Sequence, residues 1–385
     1  MKDTAQTLQE ALAPFKRMAE EALLKIVTAA EEGRKIAGIY CAFAPQELVR
    51  AANAIPISLC GKSEKPIPAA ESVLPPSLCP LIKSSYGFAL TDTCPYFQAS
   101  DFIIGETTCD GKKKMFELMA RLKPVHVMQL PYAADNLFAQ TFWQNEVIRL
   151  KEYIEDKTGT EITDQALCEQ IMLCNERRTL LKEIVYKCST TPSPISGSDM
   201  LLITESRNFA VDLPSYNLLL EDFIKTLDGI RDAGGVIKNN PPRILITGCP
   251  MGKGTDKILG LVEDSGGFVA CQEHCSGLKS FDRVVDTSIP PMEALSLHYL
   301  NTPCSCISPN SGRLSLLSRL INDFQIDAVV DITLQNCHTY NVEARLIEEL
   351  VEKKHEIPFL HLETGYSPSD TEQLRVRVEA FLEML

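Results

Sequence analysis

Apolar positions in residues 4–32 recur at helical spacing among charges, and the pattern then changes to short β-branched runs. IAGIY (36–40) reads as a buried strand ending at Cys41, and a helix from about Pro45 (PQELVRAANA) precedes strand IPISL. A Pro-rich loop around 64–80, a helix near IKSSYGF, strand DFIIG (101–105), helix GKKKMFELMARL and strand PVHVMQL continue the alternation. Strands that alternate with helices predict a parallel sheet covered by helices. Residues 135–190 carry no strand signature and read as two long helices, the second being ITDQALCEQIMLCNERRTLLKEIVYKC. After a further helical segment, the turn-formers of GGVIKNNPP mark a linker, and RILITG (243–248) opens a second alternating block with strands GGFVAC, DAVVDIT and IPFLHLE. The pattern therefore predicts an α/β domain at 1–134, a helical region and linker at 135–240, and a second α/β domain at 241–385.

Composition narrows the class without naming a chemistry. The 385 residues, 45% hydrophobic and 23% charged, suit a globular chain of two or three domains. Thirty-eight basic against 51 acidic residues give a net charge of −13, a field that repels nucleic acid and anionic lipid. No run of 18 apolar residues reads as a membrane span. The opening MKDTAQTLQEALAPF has early acidic residues and no apolar leader block, so a reducing, cytoplasmic setting is expected for the 14 cysteines.

The positions of those cysteines carry the chemistry. Cys41, Cys109, Cys249 and Cys337 each follow a predicted strand, at the sheet edge where ligands gather and helix N-termini favour anions. Cys79 in SLCPLIKSSYGF, and Cys304 and Cys306 in PCSCISPNSGR, lie in loops just before predicted helices, a setting that lowers thiol pKa. Cys275 follows the GGFVAC strand, and Cys94 lies in a loop. Cys60, Cys168, Cys174 and Cys188 read instead as packing thiols, with Cys168 and Cys174 about 240° apart on a helix at ~100° per residue. Zinc knuckles use C-x₂-C pairs, which this sequence lacks; iron–sulfur cubanes also take soft thiolates, although the ferredoxin run is missing too.

Three further motifs have restrained readings. TGCPMGKGTDK is one residue short of a phosphate loop and lacks a hydroxyl directly after Lys253, so ATP binding is not expected in this chain. Lys112, Lys113 and Lys114 read as solvated residues of an amphipathic helix, or one of them offsets an anionic cluster or binds an acidic substrate. His274 and His338 adjoin cysteines but carry no assigned role, and no catalytic residue is assigned.

The combination of IYCAFAPQELVRAANAIPISLC, SLCPLIKSSYGF, DFIIGETTCDGKKKMFELM, RILITGCP, PCSCISPN and LQNCHTYNVEA resembles the 2-hydroxyacyl-CoA dehydratase and benzoyl-CoA reductase family, over nearly the whole chain. It looks most similar to the branch of double-cubane cluster proteins. That resemblance implies two flavodoxin-like, doubly wound parallel-sheet domains with a helical insertion, a homodimer, and a separate ATP-hydrolysing iron–sulfur activase. It also implies a cofactor of two four-iron four-sulfur units bridged by sulfide, with a single cubane as the alternative. In the dehydratases the cluster thiols match Cys79, Cys109 and Cys337; Cys41 and Cys304 are next, and Cys275 is chosen as the sixth ligand over Cys249 and Cys306. The expected function is a reductase acting on a small unsaturated substrate. A dehydratase component and a non-enzymatic electron carrier are its rivals.

Overall fold

The computed structural model describes residues 4–252 and 256–385. The first half runs α1 (Thr4–Glu31), β1 (Ile36–Ile39), α2 (Gln46–Ala51), β2 (Ile55–Ser58), α3 (Ile67–Ala70), α4 (Pro80–Thr91), α5 (Pro95–Ala99), β3 (Phe102–Glu106), α6 (Asp110–Met119) and β4 (Val125–Met128). Four long helices follow: α7 (Leu137–Thr158), α8 (Asp164–Tyr186), α9 (Gly197–Ser206) and α10 (Leu213–Asp232). The last part is β5 (Arg243–Gly248), α11 (Lys257–Asp264), β6 (Phe268–Glu273), α12 (Pro291–Leu300), α13 (Ser311–Asp323), β7 (Ala328–Leu334), α14 (His338–Glu349), β8 (Phe359–Thr364) and α15 (Thr371–Leu382).

All eight strands read from the sequence are present, and all pair in parallel. The sheets have orders β2-β1-β3-β4 and β6-β5-β7-β8, the same winding used twice. This is a pair of flavodoxin-like α/β folds. The inner strands β1, β3, β5 and β7 are buried along their whole length. Continuous apolar runs such as Phe102-Ile103-Ile104 are therefore needed on both faces, which is why these strands do not alternate.

The helical part is tied to both sheets. α1 spans two cores: Leu8, Leu12 and Phe15 pack among α8–α10, with Phe15 and Phe223 rings 5.1 Å apart, while Ile26 and Ala29 join the core of the first sheet. Trp143 of α7 is fully buried in that first core against Phe43. Beneath them a closed network joins three regions, Glu47 on α2, Arg178 on α8 and Tyr299 on α12: Arg178 Nη2 donates to Glu47 Oε1 at 2.6 Å, and the Tyr299 hydroxyl to Glu47 Oε2 at 2.7 Å. α2, α8 and α12 are thereby held together, which positions the loops at the sheet edges.

Candidate functional site

In an open sheet of this order the crevice lies where the chain reverses direction, between the first strand and its third. Those are β1 with β3 and β5 with β7, and the four loops leaving them carry Cys41, Cys109, Cys249 and Cys337. Cys109 sits at the N-cap of α6 and its sulfur accepts the Lys112 amide at 3.4 Å. Cys79 and Cys337 occupy the N-cap positions of α4 and α14. Neither closes a capping bond, but the amides of Leu81 and Ile82 at Cys79, and of Tyr340 at Cys337, face the sulfur and favour its anionic form. Gly248 makes the turn at the end of β5 with φ +117°, and a Cβ there would run into the Ile332 carbonyl oxygen. That close approach lets the Cys249 amide donate to Ile332 O at 2.7 Å and the Leu334 amide reach the Cys249 sulfur at 3.4 Å.

The thiols gather in two sets. In the first, Cys79 and Cys249 both hydrogen-bond Cys337, and Cys109 lies within electrostatic reach of it. In the second, Cys304 and Cys306 sulfurs are 3.6 Å apart and Cys41 and Cys275 interact with Cys304. Within the sets, hydrogen bonding from Cys249 and Cys79 lowers the Cys337 thiol below its ordinary range, and hydrogen bonding from Cys306 lowers Cys304. The other members are pushed up, Cys41, Cys249 and Cys275 chiefly by burial. Among the described residues no three Cys, His, Asp or Glu side chains close tightly enough to hold a single metal ion.

Charged and hydroxyl groups lie between the sets. Lys112 is 6% exposed, and although burial opposes its charge, Cys41, Cys60, Glu106 and Cys109 keep it protonated. Of the three lysines only Lys112 turns inward; Lys113 and Lys114 are exposed. Tyr340 meets the Cys304 sulfur at 3.8 Å and accepts from Lys279 Nζ at 2.8 Å. Burial and the nearby Cys304, Cys275 and Cys249 raise its pKa well up, so its hydroxyl stays a donor. Lys279 is itself held by Glu273, which also meets Arg313. Glu106 at the end of β3 is fully buried. The Phe43 and Ala44 amides face it, yet neither carboxyl oxygen closes a full hydrogen bond among the described residues, and burial pushes the group up to about 7.

Several readings from sequence need correction or refinement. Cys60, expected to pack, does pack against the first core and in addition lines a cavity with Cys41 and Cys275. Cys168 is exposed rather than packed, while Cys174 and Cys188 are buried, in keeping with the different helix faces of Cys168 and Cys174. Cys94 caps the short helix α5. His274 is fully buried with both ring nitrogens engaged, Nε2 with Gln272 and Nδ1 with the Ser276 amide, and His338 is exposed. The segment read against the phosphate-loop pattern includes Lys253, which lies outside the described residues. Glu106, Tyr340 and Lys279 went unnoticed in the sequence; the signal that could have found them is nearness to a cysteine, Glu106 three residues before Cys109, Tyr340 three after Cys337 and Lys279 four after Cys275.

Comparison with known proteins agrees with this architecture. The sequence model of the 2-hydroxyglutaryl-CoA dehydratase D-component matches residues 41–385. The chain belongs to that family. An Escherichia coli (strain K12) protein named as a dehydratase subunit, YjiM, is 42% identical over 373 residues, covering 96% of this chain and 97% of that one. A benzoyl-CoA reductase component from Thauera aromatica is 21% identical over 72% of this chain and 70% of its own length. The (R)-phenyllactyl-CoA dehydratase beta subunit of Clostridium sporogenes is 21% identical over 92% and 93% respectively. Family membership makes the chain a component of dehydratase or reductase type. No helix among the described residues is long and apolar enough to cross a membrane.

Proposed function

We propose that the chain is an iron–sulfur reductase. In this reading it holds a double-cubane cluster, takes low-potential electrons from a separate ATP-hydrolysing activase, and reduces a small unsaturated substrate. Cys79, Cys109 and Cys337 would hold one four-iron four-sulfur unit and Cys41, Cys275 and Cys304 the other. Cys249 and Cys306 are the neighbouring alternatives. The observation that carries the reading is the division of the thiols into two sets that share Lys112 and Tyr340 as neighbours. A set too open for one ion but rich in sulfur suits a larger, soft-ligand body.

When bound, such a cluster supplies single electrons at low potential, where about 59 mV is worth a factor of ten. The chain does the rest. The helix N-termini behind Cys79, Cys109 and Cys337 stabilise thiolate charge. Lys112 and Lys279 place ammonium groups beside the sulfurs, and Tyr340 keeps a proton on its hydroxyl oxygen, facing Cys304. The surrounding apolar core excludes water, which protects reducing equivalents and strengthens these electrostatic contacts.

A dehydratase component with one cubane is the second reading, favoured by the family description and by the names of two relatives. A homodimer is part of the proposal, supported by Tyr132 in the loop before α7 and Leu137 and Phe138 at its start, large apolar side chains 79%, 78% and 87% exposed. The test is steady-state turnover with activase, ATP and a reductant across small unsaturated substrates. Reduction of one of them supports the reductase. Electrons entering the protein without any turnover make it a carrier instead.

A further inference from the structure

Arg50, Arg177 and Arg207 form a cationic wall that closes no ion pair among the described residues. A cavity of about 150 Å³ opens between α2, α8 and the turn Arg207–Phe209, and Cys41, Cys60 and Cys275 form part of its lining. Among the described residues six cations line it, and no Asp or Glu does. Three carboxylates lie behind the six: Lys62 pairs with Glu205 and Arg178 with Glu47, Lys112 feels Glu106, and Arg50 and Arg207 feel Glu47 and Glu205, respectively, at longer range. Arg50 spends its terminal nitrogens on the carbonyls of Ala210 and Val211, and Arg207 on those of Thr204, Cys275 and Ser276. Arg177 is 3% exposed, donates Nη1 to the Gln46 side chain at 3.1 Å, and leaves Nε without any partner among the described residues. Burial lowers both Arg50 and Arg207, each to about 10, and the charge of Arg177 adds to the effect.

A buried cation without an ion pair is costly, and six cations that share three carboxylates and the thiols of the same lining favour a further negative charge in the cavity. The guanidinium fork fits a planar anion with two oxygens better than it fits a spherical one. A cavity of about this volume takes a molecule the size of benzene, roughly six heavy atoms. A whole CoA ester is far larger.

We propose that this cavity binds a small planar oxyanion, a carboxylate of up to roughly six heavy atoms or an inorganic ion of the same shape, with Arg177 as its principal contact and Arg50 and Arg207 supplying the surrounding field. The inference deepens the reductase reading by naming its substrate class, and rests on that reading only for what happens to the anion after binding.

The test is isothermal titration of the anaerobically purified full-length protein with acrylate, nitrite and, as the uncharged analogue of the first, acrylamide. Acrylate should bind at least about tenfold more tightly than acrylamide, the size of effect expected for a hydrogen-bonded charge. Nitrite binding with acrylate excluded by size would assign the site to inorganic ions, and acrylate binding would assign it to carboxylates. Arg177→Gln should lose at least about tenfold in anion affinity, and Arg177→Lys less, with iron content unchanged in both. Equal binding of acrylate and acrylamide by the wild type, with no nitrite bound, would overturn the proposal even if Arg177→Gln failed to fold. So would undiminished anion affinity in a folded Arg177→Gln. An iron-free sample that still binds acrylate would support this site and defeat the reductase reading, which separates the two failures.

Discussion

Arg178→Met should unfasten the contact that joins α2, α8 and α12. Glu47 and Arg178 have side chains 0% and 3% exposed, so removing the guanidinium leaves a buried carboxylate that keeps its hydrogen bond from Tyr299 and the more distant charge of Arg50 but loses its ion pair. Burial alone would raise the Glu47 carboxyl, but Arg178 and the Tyr299 hydroxyl outweigh it and hold it at about 2, against an ordinary 4.5. The difference corresponds to about 3 kcal/mol at ~1.36 kcal/mol per unit, in line with the roughly 3–5 kcal/mol lost when one partner of a buried pair is removed. The sign in pH follows. Because the folded value is depressed, the stabilisation is fully present above about 4.5 and is lost as pH falls toward 2. In Arg178→Met the stranded carboxyl is raised instead, so stability should fall as pH rises above about 4.5. Urea denaturation at several pH values, followed by circular dichroism and by the fluorescence of Trp143, the single tryptophan, reads both effects. Replacing both partners, Glu47→Leu with Arg178→Met, should cost less than the single change, since no charge is left buried. A single variant within about 1 kcal/mol of wild type, or a double variant as unstable as the single, would refute the reasoning.

Two other changes probe the sulfur sets. Cys109→Ser should lower iron content while Cys168→Ser, at an exposed position on α8, leaves it near normal; equal iron in both would show that the cysteines have been sorted wrongly. Gly248→Ala forces a side chain into left-handed backbone against the Ile332 carbonyl, and should lower the melting temperature and reduce iron together by displacing the Cys249 loop. An unchanged melting temperature would mean that the β5 turn tolerates more than its geometry suggests.

The sheets were legible because buried parallel strands write themselves as mainly apolar, β-branched runs, as Ile36–Ile39, Phe102–Glu106, Arg243–Gly248 and Ala328–Leu334 do despite buried polar members such as Thr247 and Asp331. The thiols leaving those four strands were legible for the same reason, since a residue just after a run has its place in the fold fixed. The cavity was not. Arg50, Arg177 and Arg207 sit on three separate segments, and Gln46 and Arg177, which touch, are 131 residues apart. No local pattern marks such a meeting. Cys60 was read only in part, as a packing thiol, because an apolar approach through Ile55–Ser58 looks the same whether or not the thiol also opens on a cavity. Lys112 was ambiguous among three consecutive lysines, and only the cap at Cys109, which sets the helix phase, decides which one turns in.

Iron and acid-labile sulfide per chain, measured on anaerobically purified protein with an electron paramagnetic resonance spectrum of the reduced form, test the central claim most directly. Two units held by the two sets of thiols require about eight irons per chain and a cluster signal. About four irons would return the chain to the dehydratase reading, and a folded, colourless sample without iron would contradict the account altogether.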